Sequence, residues 1–281
     1  MTPAEVAAGR LVVCPTPIGN LQDVTLRVLS ALGQAGEIAC EDTRHTRVLL
    51  ERHGLRAKLV SLHEHNEGAR AHELVERMLA GAVVALVSDA GTPVVSDPGF
   101  ALVRESLAAG LEVEVLPGPS SVTTALVASG LPAERWLFVG FLPRKRAELT
   151  QLLAHTGETL VGFQSPRRLA GTLGTLAELD AQRPVAVCRE LTKLHEEVRR
   201  GSAGELARHF EANAARGEIV LVVGAAPAGL ASRDQASAAL RDLLAAGARP
   251  RPAAAVVARL TGIGANELYR ALTSDGSGTV A

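Results

Sequence analysis

The stretch VVALVSDAGTPVVSDPG, Val83 to Gly99, decides how this chain is read. Its first five residues are apolar and mostly β-branched, the composition of a strand buried on both faces. The twelve residues from Ser88 to Gly99 then carry two Asp, two Gly and two Pro, which forces the backbone along a fixed, irregular path. Such a path costs stability unless a ligand or partner uses it. The periodic segment Phe100–Ala109 follows as a helix. Strand, ordered loop and helix together are the repeating unit of an α/β sheet that binds ligands beyond the carboxyl ends of its strands.

The same alternation runs outward in both directions. Leu11–Cys14, Val113–Leu116, Leu160–Phe163, Val185–Cys188 and Ile219–Val223 are further short apolar runs bounded by Gly, Pro or polar residues. Helical patterns fall at Thr25–Leu32, His72–Ala80, Ser121–Ser129, Arg167–Leu179 and Ala203–Ala214. The fold class expected is α/β with largely parallel sheets. Pro117-Gly-Pro119 can continue neither strand nor helix, so a division is expected there, with one α/β domain over 10–117 and a second over 118–226. A break near Ala225–Ser232 precedes a helical appendage over 233–273, interrupted by Arg-Pro-Arg-Pro and a Gly-Ile-Gly turn, and Ser274–Ala281 is expected to fray.

Composition narrows the function. A chain of 281 residues with 47% hydrophobic content builds more than one small core and is not intrinsically disordered. No apolar run approaches the length of a membrane span, and MTPAEVAAGR lacks the charge-then-apolar order of a signal peptide, so a soluble, cytoplasmic protein is expected. Cys14, Cys40 and Cys188 lie far apart in apolar contexts, which predicts buried thiols with neither a disulfide framework nor a metal cluster. His63-Glu-His65 is weak metal evidence, and no metal is expected. A net charge of −1 and 2% aromatic residues give nucleic acid no whole-molecule attraction and no base-stacking platform. No phosphate-binding P-loop exists, and Gly262-Ile-Gly264 follows a helix with Glu267 where a dinucleotide fingerprint needs a third glycine.

Two more loops resemble the first in kind. Leu11–Asp23 is a strand ending in a Pro/Gly turn, and Pro117-Gly-Pro-Ser-Ser121 opens a Ser-capped helix with hydroxyls and amides free to meet a ligand. Local basic clusters hide under the neutral total. Arg44, His45 and Arg47 continue through Arg52, His53, Arg56 and Lys58 as a basic helix, Arg144-Lys145-Arg146 form a second cluster, and Arg167-Arg168 a third. Clusters of this kind neutralise phosphates, although each alone also suits a solvated face.

TPIGNLQD, CEDTRHTRVLL, SLHEHNE, VSDAGTPVVSDPG, PGPSSVTTAL, VGFLPRK and FQSPRRL stand in this order between Leu11 and Gly224. In that order and spacing the chain resembles the RsmI group of the tetrapyrrole-methylase superfamily. The resemblance implies two α/β domains with a cleft between them, a homodimer, and S-adenosylmethionine as cofactor. It implies 2′-O-methylation of a cytidine ribose in 16S ribosomal RNA, free or in the small ribosomal subunit. Carried over motif by motif, cofactor contacts fall on Pro17, on Gly91, Thr92 and Val95, on Ser120 and Ser121, on Gln164 and Ser165, and on Gly217 and Glu218. The RNA side falls on Arg44, His45, Arg47, His63, Asn66, Arg144, Lys145 and Arg146. Glu41, Asp42 and His65 are the candidate proton acceptors, with His45, Glu67, Asp23 and Asp89 also within the motifs, and no choice among them follows from spacing. Methylation of a small tetrapyrrole, or RNA binding without turnover, are the competing readings.

Overall fold

The computed structural model describes residues 9–226, 233–261 and 263–274. Most of the expected break at 225–232, Gly262 of the Gly-Ile-Gly turn and nearly all of the expected frayed end lie outside the described residues. Among the described residues no helix is long and apolar enough to cross a membrane.

The first half alternates β1 (Arg10–Val13), α1 (Leu26–Gln34), β2 (Glu37–Cys40), α2 (Thr43–Arg52), β3 (Lys58–Ser61), α3 (Glu67–Leu79), β4 (Val83–Leu86), α4 (Phe100–Ala108) and β5 (Glu112–Val115). Its five strands are all parallel in the order β3-β2-β4-β1-β5. Helices cover both faces, with Leu11, Leu74, Met78 and Leu102 in the core on one side and Val12, Val28, Leu32 and Leu49 in the core on the other. Burial on both faces is what the unbroken apolar runs of β1 and β4 encode.

The second half runs α5 (Ser121–Ser129), β6 (Trp136–Phe141), α6 (Arg146–His155), β7 (Thr159–Gln164), α7 (Pro166–Leu179), β8 (Pro184–Arg189), β9 (Glu197–Ser202), α8 (Ala203–Ala212) and β10 (Ile219–Val223). Its sheet has the order β6-β7-β10-β8-β9, and here the expectation of parallel strands fails. Only β6 and β7 are parallel; β10 runs against both β7 and β8, and β8 against β9. The reason is connection length. The short link between Arg189 and Glu197 cannot make the crossover of a dozen or more residues that a parallel neighbour needs, so β9 returns as a hairpin.

Residues 9–149 and 159–224 form one compact unit holding both sheets. Ile18, from the first half, sits in the core of the second with Val122, Leu126, Val161, Cys188 and Val220. The described residues of 150–158 and 225–274 belong to the other unit. In it α9 (Arg233–Ala245), α10 (Pro250–Thr261) and α11 (Ala265–Ser274) pack around Ala236, Leu240, Ala254, Val257 and Leu268. Pro250 and Pro252 of the Arg-Pro-Arg-Pro segment fall in the first turn of α10, where missing N–H groups cost nothing.

All three cysteines are buried, and burial pushes the Cys14 thiol up to about 12 and the Cys188 thiol up to about 11. The start of α8 carries a full capping box, with Ser202 accepting from the Glu205 N–H while the Glu205 carboxylate accepts from the Ser202 N–H. Ser202→Ala should therefore cost about 1 kcal/mol. The check is urea denaturation, with a lowered midpoint and an unchanged slope.

Candidate functional site

Strand order brings three loops together. Because β1 lies between β4 and β5, the segments that leave their carboxyl ends, Cys14–Asn20, Val87–Gly99 and Leu116–Ser120, emerge side by side. Two backbone bonds then pin them, from Thr16 N–H to Gly91 O at 2.8 Å and from Gly91 N–H to Thr16 O at 3.0 Å. The Thr16 hydroxyl donates to Ser88 O, the Ser88 hydroxyl to Gly91 O, and the Thr92 hydroxyl to Pro119 O. The far end of the long loop is fixed by Glu67, whose carboxylate accepts from the N–H groups of Gly99 and Ala101 and so caps α4.

Between these fixed ends the backbone is strained. Val94 and Ser96 adopt φ of 75° and 64°, in the left-handed region, which is costly for any side chain and most of all for β-branched valine. Residues persist there only where their surroundings over-determine them, and they gather at functional sites.

Above the loops lies a cavity of about 340 Å³, in the range of small-molecule sites. Of the ten residues carried over as cofactor contacts, Gly91, Thr92, Val95, Ser120, Ser121, Gln164, Ser165, Gly217 and Glu218 line it, and only Pro17 does not. Pro17 is buried behind the loop, and its neighbour Ile18 forms the wall instead. Several side chains are already engaged: the Gln164 amide donates to Thr172 and accepts from Ser165 N–H, and Lys193 pairs with Glu218 at 2.9 Å. The Gln164 side chain is therefore spent, whereas the Ser165 hydroxyl makes no capping bond to α7. Ser120 stands at the N-cap of α5, yet its side chain makes no capping bond, contrary to the Ser-capped start expected. Ser96, Asp97, Phe141, Phe163 and Leu191 also line the cavity and escaped sequence reasoning. The one available signal was the second Asp of the loop, Asp97, eight residues after Asp89.

The candidate acids and bases fall beside the cavity on the loops after β2, β3 and β4. Asp42 caps α2, and the guanidinium and backbone N–H of Arg44 hold its carboxyl well below the usual range. Asp89 accepts from Asp42 N–H at 3.0 Å and meets His45 Nδ1 at 3.1 Å. Asp42, His45 and Asp89 are close enough to surround a cation, but Arg44 already pairs with Asp42, and Asp89 is engaged by His45 and by Asp42 N–H. Desolvation, followed by the charge of Asp89, pushes the Glu41 carboxyl up, against the pull of His63. His65 is exposed and stacks edge-on with His63, with ring centroids 6.0 Å apart. Asn66 spends its amide on His63 N–H and Ser61 O, and Asp23 is exposed in the short helical turn Leu21–Asp23, apart from the cavity-lining residues.

The basic groups separate into paired and unpaired. Arg44 is tied to Asp42, Lys145 to Glu148 and Arg146 to Glu178, whereas Arg168 turns inward onto the carbonyls of Leu142 and Pro143. The basic helix is shorter than expected: α2 ends at Arg52 because Gly54, with φ of 65°, turns the chain, and Lys58 opens β3 and pairs with Glu37. Arg47, Arg144 and Arg167 remain exposed with no ion pair among the described residues, Arg47 facing a groove with Glu51 and Arg56.

Residues 10–207 match the family of Tetrapyrrole (Corrin/Porphyrin) Methylases. Along nearly its whole length the chain is similar to the ribosomal RNA small subunit methyltransferase I of Mesorhizobium japonicum, with 46% identity over 96% of this chain and 93% of the relative. It is also similar to the protein of that name from Escherichia coli O157:H7, with 41% identity over 95% and 96%. The uroporphyrin-III C-methyltransferase of Thermus thermophilus, solved in complex with S-adenosyl homocysteine, shares the fold, with a TM-score of 0.55, 22% identity, and 77% of this chain and 97% of that one covered.

Gly99 marks how tightly the long loop is set. At φ of 124° an added Cβ would lie 2.7 Å from Leu86 Cδ2, whereas at Gly68 in α3 it would meet nothing within 4 Å. Gly99→Ala should cost about 1–3 kcal/mol and weaken ligand binding in the cavity. Gly68→Ala should be neutral or stabilise by up to about 1 kcal/mol. Paired denaturation curves measure both.

Proposed function

The chain belongs to the tetrapyrrole methylase family, and on that premise we propose that it transfers the methyl group of S-adenosylmethionine to the 2′-hydroxyl of a cytidine ribose in 16S ribosomal RNA. It is an S-adenosylmethionine-dependent methyltransferase by family. The observation that carries the reading is the convergence of nine expected contact residues, drawn from four separate segments, on one cavity. Kinship to proteins named for small-subunit ribosomal RNA over almost the full chain favours RNA over a small tetrapyrrole as acceptor.

The cavity suits the cofactor. Ile18, Val95, Phe163 and Val220 supply apolar wall for a planar base, while Thr92 and Ser120 bring polar groups to its edge. The first amides of α5, from Ser121 onward, suit a carboxylate. When bound, S-adenosylmethionine supplies an electrophilic methyl on a positively charged sulfur. The protein's contribution is to fix acceptor and donor in line, which alone accounts for much of the acceleration in such displacements. The braced loops give that rigidity.

Recognition of RNA falls to the exposed cations Arg47, Arg144 and Arg167, which neutralise phosphates, with Arg44 and His45 at the start of α2. Structured RNA read by shape and phosphate suits a chain with 2% aromatic residues. Assembly as a homodimer and residence in the cytoplasm complete the reading; exposed Val115 on the edge strand of the first sheet and Leu137 and Phe141 on that of the second offer apolar surface to a second copy.

Incubation with methyl-labelled S-adenosylmethionine and small subunits from cells lacking the enzyme should place the label on one ribose of the 16S RNA. Label in a uroporphyrinogen-like compound instead, or tight cofactor binding with no transfer, would favour the two competing readings. Arg47→Ala should weaken RNA binding and lower the slope of log K against log salt by about 1, the signature of one lost phosphate contact. Filter binding across a salt series measures this.

A further inference from the structure

We propose that Asp97 is the catalytic base of the methyl transfer, accepting the proton of the attacking ribose hydroxyl at the wall of the cavity; the proposal rests on the reading given above. Three titratable side chains line that cavity among the described residues: Asp97, Glu218 and Cys188. Glu218 is engaged by the Lys193 ammonium at 2.9 Å and its side chain is largely exposed. Cys188 is buried and stays a neutral thiol, pushed up to about 11. Glu41, Asp42, His45, His65 and Asp89 stand outside the lining. Asp97 alone combines access to the cavity with an unneutralised carboxylate.

Its position is fixed. Asp97 follows Ser96, whose φ is 64°, in a segment clamped at Gly91 by Thr16 and at Gly99 by Glu67. The charged groups that act on it are Glu41 after β2 and Asp89 in its own loop, while the Glu67 carboxylate is spent on the first amides of α4. Burial, then the charges of Glu41 and Asp89, push its carboxyl up to about 6. A base titrating just below the working pH is ionised yet still basic, the optimum for general-base catalysis. In the step itself the O2′–methyl bond forms as the methyl–sulfur bond breaks, leaving a neutral thioether. The hydroxyl proton moves to Asp97, which releases it to solvent.

The test compares the full-length wild type with Asp97→Asn and Asp97→Glu. In the wild type, kcat should fall about tenfold per pH unit below about 6 and level off above it. Asp97→Asn should lose about 10²–10⁴-fold in kcat and lose that pH dependence, with calorimetric cofactor affinity kept within about threefold, and Asp97→Glu should recover part of the rate. Carboxyl ¹³C titration of the cofactor-free protein should show a group near 6 that is missing in Asp97→Asn. Near-wild-type kcat in Asp97→Asn, a surviving acidic limb, or loss of cofactor binding in step with activity would each overturn the assignment while leaving the methyltransferase reading intact. Failure of the wild type to methylate ribosomal RNA would overturn both.

Discussion

The reciprocal pair of backbone hydrogen bonds between Thr16 and Gly91 is the constraint on which the site depends. Two loops that leave neighbouring parallel strands would ordinarily fan apart over the sheet edge. Here they are joined as a two-residue antiparallel bridge, which the Thr16 and Ser88 hydroxyls brace at Ser88 O and Gly91 O, and the Thr92 hydroxyl ties in the third loop at Pro119. Each bond is worth about 1 kcal/mol net, but leaving any of these buried groups unpaired would cost more. The strained backbone at Val94 and Ser96 is sustained by that over-determination.

A second consequence is electrostatic. Holding the loop after β4 against the ends of β2 and β3 gathers Glu41, Asp42, Asp89 and Asp97 in one region. The four carboxylates do not behave alike. Arg44 lowers Asp42, whereas burial and mutual repulsion raise Glu41 and Asp97. Groups of one chemical type pushed in opposite directions are the usual basis for separating proton-transfer roles from structural ones. Glu67 illustrates the structural end of that range, since its carboxylate is spent on the first amides of α4.

Much of the fold was legible because buried strands and amphipathic helices write their periods directly into the chain. β1, β4, β5, β7, β8 and β10 each announce themselves as an apolar run. β3 and β9 do not. Lys58-Leu-Val-Ser61 and Glu197-Val-Arg-Arg-Gly-Ser202 are edge strands whose exposed faces carry polar residues, and Lys58 passes for the end of a basic helix. Missing β9 hides the hairpin, and with it the antiparallel course of the second sheet. Among the basic residues, sequence marks a cluster but not its partners, so Arg168, turned onto the carbonyls of Leu142 and Pro143, reads the same as exposed Arg167.

The sequence by itself determined the α/β class and the three loops rich in Gly, Pro and Ser, and its motif-by-motif resemblance to a known family marked nine of the residues that line the cavity. Only the tertiary structure decided which polar side chains are free to act. Asp42, Asn66, Glu67 and Gln164 look as available as Asp97 along the chain, yet each is consumed by a neighbour. Availability depends on burial and on hydrogen bonds between residues distant in sequence. The 32 positions between Glu67 and Gly99 give no hint that the one caps the other.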